Sequence, residues 1–229
     1  MRKIPSLLLL LLLLNCNNER VLQLPEIENA EITELLDVSP AYIFYDESQP
    51  DSTLFNRKNL ISTTNWAVNV DKRLTLRQAI PHIQYLLDKR KKKSMHTNEN
   101  AKNYFTCNDT SIGNLGFLEF TEVNYLTDLS FAEKYDLSDN KIKPVLVHFI
   151  SEDYVALWQD SKSSQFKEDV IKIDSLFTNK YLDQFKRKNI LIQLVFTRRY
   201  NFQKYIGLKN DLNKFFGPEV EFSKDEIIF

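Results

Sequence analysis

The feature that most constrains the fold is a segment near the C-terminal end, residues 190–196, that contains almost no polar side chain. It reads Ile-Leu-Ile-Gln-Leu-Val-Phe. An apolar run of this length without alternation is typical of a strand buried on both faces of its sheet. Asn201 then begins an amphipathic segment that Gly217 and Pro218 are suited to end. The pattern therefore predicts a sheet covered by helices.

The surrounding residues, 136–229, extend this prediction to a complete α/β unit. Pro144 suits the first residue of a strand, where its missing N–H does least harm. The elements are predicted in the order β-β-α-β-α-β, at residues 144–150, 154–158, 173–187, 190–196, 201–216 and 220–222 or 227–229. Helices alternating with strands indicate a mixed sheet with helices on one face.

The preceding residues, 31–135, predict a second small half of the same class. Its clearest helix begins at Thr75, with Gln78 in the capping-box position. The basic end of that helix, residues 88–93, suits either a solvated helix C-terminus or a contact with anionic lipid. Strands are predicted at 41–45, 65–70 and 115–125, and a short helix at 97–105. The predicted fold class is α/β (α+β), with two small α/β sandwich halves and mixed sheets.

The two halves share a sequence pattern. Residues 70–76 align without a gap with residues 196–202, which lie 126 positions later. Each segment contains a strand end, basic residues, an apolar residue, a helix cap and another apolar residue. The caps are Thr75 and Asn201. Either a β-α unit is used twice, or two capped amphipathic helices match by chance.

Residues 144–229 resemble the periplasmic domain of the ExbD/TolR energy-transduction family in their β-β-α-β-α-β order. Phe202 stands where that family has an aromatic residue at a helix start, and Thr197 stands where it has Asp. The resemblance implies a shared scaffold. The acidic membrane helix of that family has no counterpart, because Leu7–Leu14 contains no carboxylate. Its proton-driven function is therefore not implied.

The first sixteen residues read as an export signal. Arg2 and Lys3 form a cationic start, and eight leucines, Leu7–Leu14, form an apolar core. Eight residues of helix span about 12 Å, whereas a bilayer crossing needs about 20 residues. Residues 1–15 are thus typical of a cleaved signal peptide.

The sequence Leu13-Leu14-Asn15-Cys16 resembles the lipobox of bacterial lipoproteins. This resemblance implies that Cys16 is lipidated, with residues 16–30 as its tether. An ordinary leader that leaves Cys16 as a free thiol is the alternative. By the same resemblance, Asn17 in place of Asp favours the outer membrane of a Gram-negative bacterium, with the protein facing the periplasm.

Charge and composition exclude several function classes. Thirty basic and 31 acidic residues leave a net charge of -1, so no overall charge attracts nucleic acid. With Cys16 lipidated, Cys107 has no partner for an intramolecular disulfide and is expected to be a buried apolar side chain. The chain has four glycines, none in a phosphate-binding pattern.

Reactive-site patterns are few. The three histidines lie on different predicted elements without metal-ligand spacing, so neither a metal nor a cofactor is predicted. His148, followed by Glu152 and Asp153, is the catalytic candidate, as a base with an orienting carboxylate. A structural histidine is the alternative.

Two further positions are candidates for binding or modification. Arg198 and Arg199 lie with two tyrosines at a strand–helix junction and could bind an anion, or simply form a solvated helix start. Asp51-Ser52-Thr53 resembles the acceptor pattern of some bacterial periplasmic O-glycosylation systems, which makes Ser52 a candidate.

These patterns favour a lipid-anchored cell-envelope protein with a non-catalytic role in binding or assembly. Its expected partners are the membrane, through the lipid, and another envelope protein, without nucleic acid. One alternative is a periplasmic enzyme with a site around His148, Glu152 and Asp153. Another is an accessory to an envelope transport motor.

Overall fold

The computed structural model describes residues 21–92, 98–127, 143–160, 166–186 and 190–229. Within these ranges the chain forms two six-stranded sheets, both mixed, and four α-helices. The predicted α/β (α+β) class is confirmed. The signal peptide, Cys16 and the start of the expected tether lie outside the described residues, as does His96.

The first sheet is centred on three parallel strands, and the middle one leads into a helix. Its elements are β1 (Glu26–Ile27), β2 (Val38–Tyr45), β3 (Thr53–Asn56), β4 (Asn65–Val70), helix α1 (Leu76–Lys91), β5 (Asn103–Asp109) and β6 (Asn114–Glu119). Strand β4 lies between β2 and β5 and is parallel to both. The antiparallel neighbours are β3 on β2 and β6 on β5, and β1 extends the sheet beside the end of β5.

The second sheet contains the apolar segment as its central strand. Its elements are β7 (Asn124–Leu126), β8 (Lys143–Phe149), β9 (Tyr154–Asp160), β10 (Phe166–Lys172), helices α2 (Ile173–Leu176) and α3 (Asn179–Phe185), β11 (Ile190–Phe196), helix α4 (Phe202–Phe216), a 3-10 turn (Gly217–Glu219) and β12 (Asp225–Ile228). The strand order is β10-β9-β8-β11-β12-β7. Strand β11 is parallel to both neighbours, and its last five residues are buried.

The two sheets share one core topology. In the first, the hairpin β2–β3 is followed by β4, α1 and β5; in the second, the hairpin β8–β9 is followed later by β11, α4 and β12. In both, the first hairpin strand pairs in parallel with the strand that precedes the helix. The common strand order and direction support repeated use of one unit over a chance match.

The aligned segments also contact each other. Thr75 and Asn201 form an antiparallel bridge between the starts of α1 and α4. The Leu76 N–H donates to the Tyr200 carbonyl at 2.9 Å, and the Phe202 N–H donates to the Leu74 carbonyl at 2.8 Å. The alignment equates Thr75 with Asn201, and each of the two donors pairs with the residue that the alignment equates with the position two before it. We call this contact the paired helix starts.

Several predicted elements differ from the structure. The short helix at 97–105 is wrong, because β5 occupies Asn103–Asp109. The single strand at 115–125 is divided, since a turn separates β6 from β7, and β7 joins the second sheet. The helix at 173–187 is likewise divided into α2 and α3, and the unpredicted strand β10 precedes it. The expected tether through residue 30 includes β1, whose Ile27 is buried.

Buried polar groups hold β7 against the second sheet. The Tyr205 hydroxyl donates to Glu226 Oε2 at 2.8 Å and lies 3.0 Å from the Tyr125 hydroxyl. Lys209 pairs with the other oxygen of Glu226, whose side chain is 1% exposed. Burial raises the pKa of both tyrosines well above the usual range.

At the C-terminal end of α1, Arg90 anchors two loops. Its guanidinium lies 3.7 Å from the Trp66 ring and donates to the Ser62 and Thr64 carbonyls, both at 3.1 Å. It also donates to Asn103 Oδ1 at 3.1 Å. Burial lowers its pKa to about 10. The Arg90 side chain is therefore partly buried and bonded to two loops, unlike the exposed lysines beside it at the end of α1.

We expect Arg90→Met to lower the free energy of unfolding by about 2–4 kcal/mol, because the part-buried Thr64 carbonyl and Asn103 Oδ1 lose their charged donor and the Trp66 ring loses its contact with the guanidinium. Lys89→Met, at an exposed neighbour, should change it by less than about 0.5 kcal/mol. Urea unfolding followed by Trp fluorescence measures both. Equal effects of the two substitutions would contradict this role for Arg90.

Candidate binding clefts

Each half has a surface cleft at the same place, between a hairpin turn and the first turns of the following helix. The first cleft, of about 520 Å³, lies between the β2–β3 turn and α1. It is lined by Pro50, Asp51, Ser52, Thr75, Arg77, Gln78, Pro81 and His82. The second, of about 510 Å³, lies between the β8–β9 turn and α4, and α2 closes one side. The clefts are thus equivalent under the repeat.

Acidic, basic and apolar groups line the second cleft. Its acidic residues are Glu152, Asp153, Asp174 and Asp211, its basic residues Lys172 and Lys204, and its apolar surface comes from Tyr154, Ile173, Phe177, Tyr200 and Leu208. Lys204 Nζ lies 4.0 Å from Glu152 Oε2, both side chains being more than half exposed, so the pair is weak. Burial, with the nearby carboxylates Glu152 and Asp153, raises the pKa of Tyr200 to about 12. The surface suits an extended chain segment with both apolar and charged side chains.

A hydrogen-bonded group of three side chains stands at the wall of the first cleft. The Thr53 hydroxyl donates to Asp51 Oδ2 at 2.6 Å and lies 3.2 Å from His82 Nε2. A hydroxyl has one proton, so His82 must donate its Nε2 proton to Thr53. Nucleophile activation requires the opposite direction, with the hydroxyl donating to histidine. This arrangement therefore fixes the hairpin to α1 and does not activate Thr53.

The environment of His82 favours its neutral form. Burial lowers its pKa, and the nearby Asp51 carboxylate only partly opposes this effect. The ring also contacts Phe55, with ring centroids 4.9 Å apart. Sequence reasoning missed this group, because it depends on the hairpin pairing that brings Thr53 to α1. The sequence does contain Asp51 two residues before Thr53, but this spacing is common in turns and does not indicate a contact with a helix.

The three catalytic candidates do not converge. His148 alternates along β8 with Val147 and Phe149, which are buried in the core, so it points to the opposite face of the sheet. Its ring lies 5.0 Å from that of Phe229, and burial lowers its pKa. Glu152 and Asp153 instead line the second cleft. His148 therefore lies on the face of its sheet opposite Val147 and Phe149, and it does not line that cleft.

The arginine pair lies on the surface at the start of α4. Arg198 donates to the Thr127 carbonyl, and its own carbonyl accepts from the Arg77 N–H at 2.7 Å. Arg199 is exposed beside it. The two arginines belong to a wider basic surface that includes Arg77, and anion binding by the pair stays a prediction.

Two other predicted residues have clear positions. Ser52 lies in the β2–β3 turn with a φ of 56°, at the edge of the first cleft, and its glycosylation stays a prediction. Cys107 is fully buried in β5, and burial raises the pKa of its thiol to about 12. A thiol with this pKa is not a nucleophile at neutral pH.

Other features of the described ranges concern metals and membranes. Within them, no group of three or more His, Cys, Asp or Glu side chains is arranged to hold a metal ion. None of the described helices combines the length and the apolar character that a membrane crossing requires.

Comparison with known proteins gives no family assignment. The chain matches no protein-family model, no curated protein and no solved structure. The function therefore has to be inferred from the geometry of the chain itself.

We expect Thr53→Val to lower the free energy of unfolding by about 1–3 kcal/mol. The substitution preserves shape but leaves Asp51 and His82 without their shared partner. Ser48→Ala, at an exposed position of the same turn, is the matched control. Chemical denaturation of both variants measures the difference, and an unchanged Thr53→Val protein would argue against the hydrogen-bonded group.

Stability should also fall as the pH is lowered from about 7.5 to about 5.5. Burial lowers the folded-state pKa of His82 and His148 below the ordinary 6.5, so the unfolded chain takes up more protons in this range. Each histidine contributes a slope of up to about 1.4 kcal/mol per pH unit. Urea unfolding across this range should give a shallower pH dependence for His82→Gln and His148→Gln. Unchanged slopes in both variants would contradict the effect.

Proposed function

We propose that the protein is a lipid-anchored component of the cell envelope, attached through Cys16, that binds a partner protein and does not catalyse a reaction. The observation that carries this proposal is the N-terminal arm, residues 21–30, which is bound along the folded body. Its first described residue lies five positions after Cys16. Five residues span at most about 17 Å, so the anchor would hold the body close to the membrane.

The start of the arm is bound at the end of β4. The Arg73 guanidinium donates to both carboxylate oxygens of Asp71, at 2.8 and 2.7 Å, and to the Val21 carbonyl at 3.3 Å. The Lys72 N–H donates to the Gln23 carbonyl at 2.7 Å. Burial alone would raise the pKa of Asp71, but hydrogen bonds from Arg73 and from backbone N–H groups outweigh it and lower the pKa.

The middle of the arm is bound to the other half. Gln203 on α4 accepts from the Glu26 N–H and donates to its carbonyl, both at 2.8 Å. The Glu28 carbonyl accepts from Asn210 at 3.3 Å and from Lys214. The arm therefore joins the two halves as well as continuing towards the proposed anchor.

The end of the arm is bound to β5. The carboxylate of Asp109, which is fully buried, accepts from the N–H groups of Asn29 at 3.1 Å and Ala30 at 2.6 Å. Hydrogen bonds, led by the one from the Ser111 hydroxyl, lower the pKa of Asp109 to about 2. With this many bonds the arm is an integral part of the fold, and an anchor attached to it holds the whole body.

Two arguments support binding over catalysis. The catalytic candidates do not converge, and the contact between Thr53 and His82 has the wrong hydrogen-bond direction for a nucleophile. The second cleft, in contrast, combines charged groups with an apolar surface contributed by Phe177 and Leu208. This combination suits a segment of a partner protein, in which a few apolar side chains provide most of the binding energy.

We expect Cys16→Ser to move the protein from the membrane fraction to the soluble periplasmic fraction, because the acyl chains that hold it would be absent. Fractionation with immunodetection measures the distribution. Cys107→Ser is the matched control, since it changes the buried cysteine and should leave the fractionation unchanged. Membrane association that persists in Cys16→Ser would refute the lipid anchor.

A further inference from the structure

The paired helix starts bring together two basic segments that are distant in sequence. Residues 72–77 contribute Lys72, Arg73 and Arg77, and residues 198–204 contribute Arg198, Arg199 and Lys204. The backbone bond from Arg77 to Arg198 places the two segments side by side. We call the surface formed by these six side chains the basic face.

Part of the charge on this face is neutralised, and part is not. Lys72 pairs with Glu26 at 2.6 Å, and Arg73 pairs with Asp71. Lys204 has only its distant contact with Glu152. Among the described residues, none forms an ion pair with Arg77, Arg198 or Arg199. Within the described ranges, the exposed guanidinium groups of Arg77 and Arg199 therefore have no acidic partner, while that of Arg198 donates to the Thr127 carbonyl.

The direction of the strands fixes where this end lies. Strands β2 and β4 are parallel, as are β8 and β11, so both hairpin turns and both helix starts lie at the carboxyl ends of these strands. The arm also reaches the body here, at Asp71 and Arg73. The basic cluster at the end of α1 lies at the opposite end, where Arg90 contacts Trp66 near the start of β4.

The geometry points to the basic face as a docking surface for anionic lipid headgroups, an inference that rests on the proposed lipid anchor at Cys16. The short connection from Cys16 keeps Val21, which is bound at this end of the body, within about 17 Å of the anchor. The arginines can thus come within a Debye length of the bilayer, about 8 Å at physiological salt, where anionic headgroups attract them. Both clefts then open beside the membrane surface, where they would meet a partner's membrane-adjacent segment.

The test uses the lipidated protein reconstituted in vesicles. An environment-sensitive maleimide fluorophore is attached to a cysteine introduced by Ser48→Cys, in the β2–β3 turn, or by Ser175→Cys, in α2. Both sites are exposed and flank the basic face; Ile61→Cys places the probe at the opposite end. Cys107 stays unlabelled because its thiol is buried and protonated. Nitroxide-labelled lipids in the vesicles quench only nearby probes.

We expect strong quenching at positions 48 and 175, and weak quenching at 61, in vesicles of phosphatidylethanolamine with phosphatidylglycerol. Quenching should fall in phosphatidylcholine vesicles and at about 1 M salt, where the Debye length is about 3 Å. Each basic residue near an anionic surface contributes about 1 kcal/mol, or about fivefold in the docking equilibrium. Arg77→Glu with Arg199→Glu should therefore weaken docking by about 25-fold or more.

The matched control is Lys58→Glu with Lys92→Glu, which makes the same change in net charge at the opposite end and should leave quenching unchanged. Quenching that is independent of lipid charge, or equal in the two double variants, would overturn the docking surface. If the protein does not incorporate into vesicles at all, the lipid anchor itself fails, and the docking surface fails with it. An incorporated protein with all three probes unquenched refutes only the docking surface.

Discussion

Three backbone hydrogen bonds at the helix starts determine how the halves are arranged. The N–H groups at the start of an α-helix have no partner within the helix, and capping side chains or other acceptors must satisfy them. Here the Leu76 and Phe202 N–H groups donate to carbonyls of the opposite half. Each half thus supplies a carbonyl acceptor for an N–H group at the helix start of the other half. The same contact places Phe202 against Phe105 of the first sheet, with ring centroids 5.5 Å apart, so that a single core extends across both halves.

This contact also determines which groups at the helix starts are available to bind an anion. A free helix N-terminus attracts anions, but here backbone carbonyls of the other half occupy its first donors. The positive charge available at this end therefore comes from side chains. It is distributed over an open surface and is not enclosed in a pocket. The two clefts lie on either side of it, so both clefts and the exposed arginines are at the same end of the molecule.

The sequence predicted the elements that have strong local patterns. The strand at 190–196 and the start of α1 at Thr75 are observed as predicted, because continuous apolar character and capping residues act locally. The helix predicted at 97–105 overlaps the start of β5, since Asn103–Asp109 mixes polar and aromatic residues and forms a strand because β4 and β6 flank it. Strand β7 has three residues, too few for a periodic signal, and its partner lies 101 residues later. For the clefts, the sequence identified Glu152, Asp153 and Ser52 but could not place them, because turn positions depend on the pairing of whole hairpins.

The arm has a consequence for the order of events as the chain folds. Glu26 and Glu28 are bound by Gln203 and Asn210, which follow them by 177 and 182 residues. These bonds can form only after nearly the entire chain has been made and α4 has packed, because contacts between distant residues require the intervening chain to close first. The middle of the arm can therefore be fixed only late in folding, whereas its two ends can bind the ends of β4 and β5 before α4 is in place. The arm thus completes the connection between the halves only after the first half has bound it.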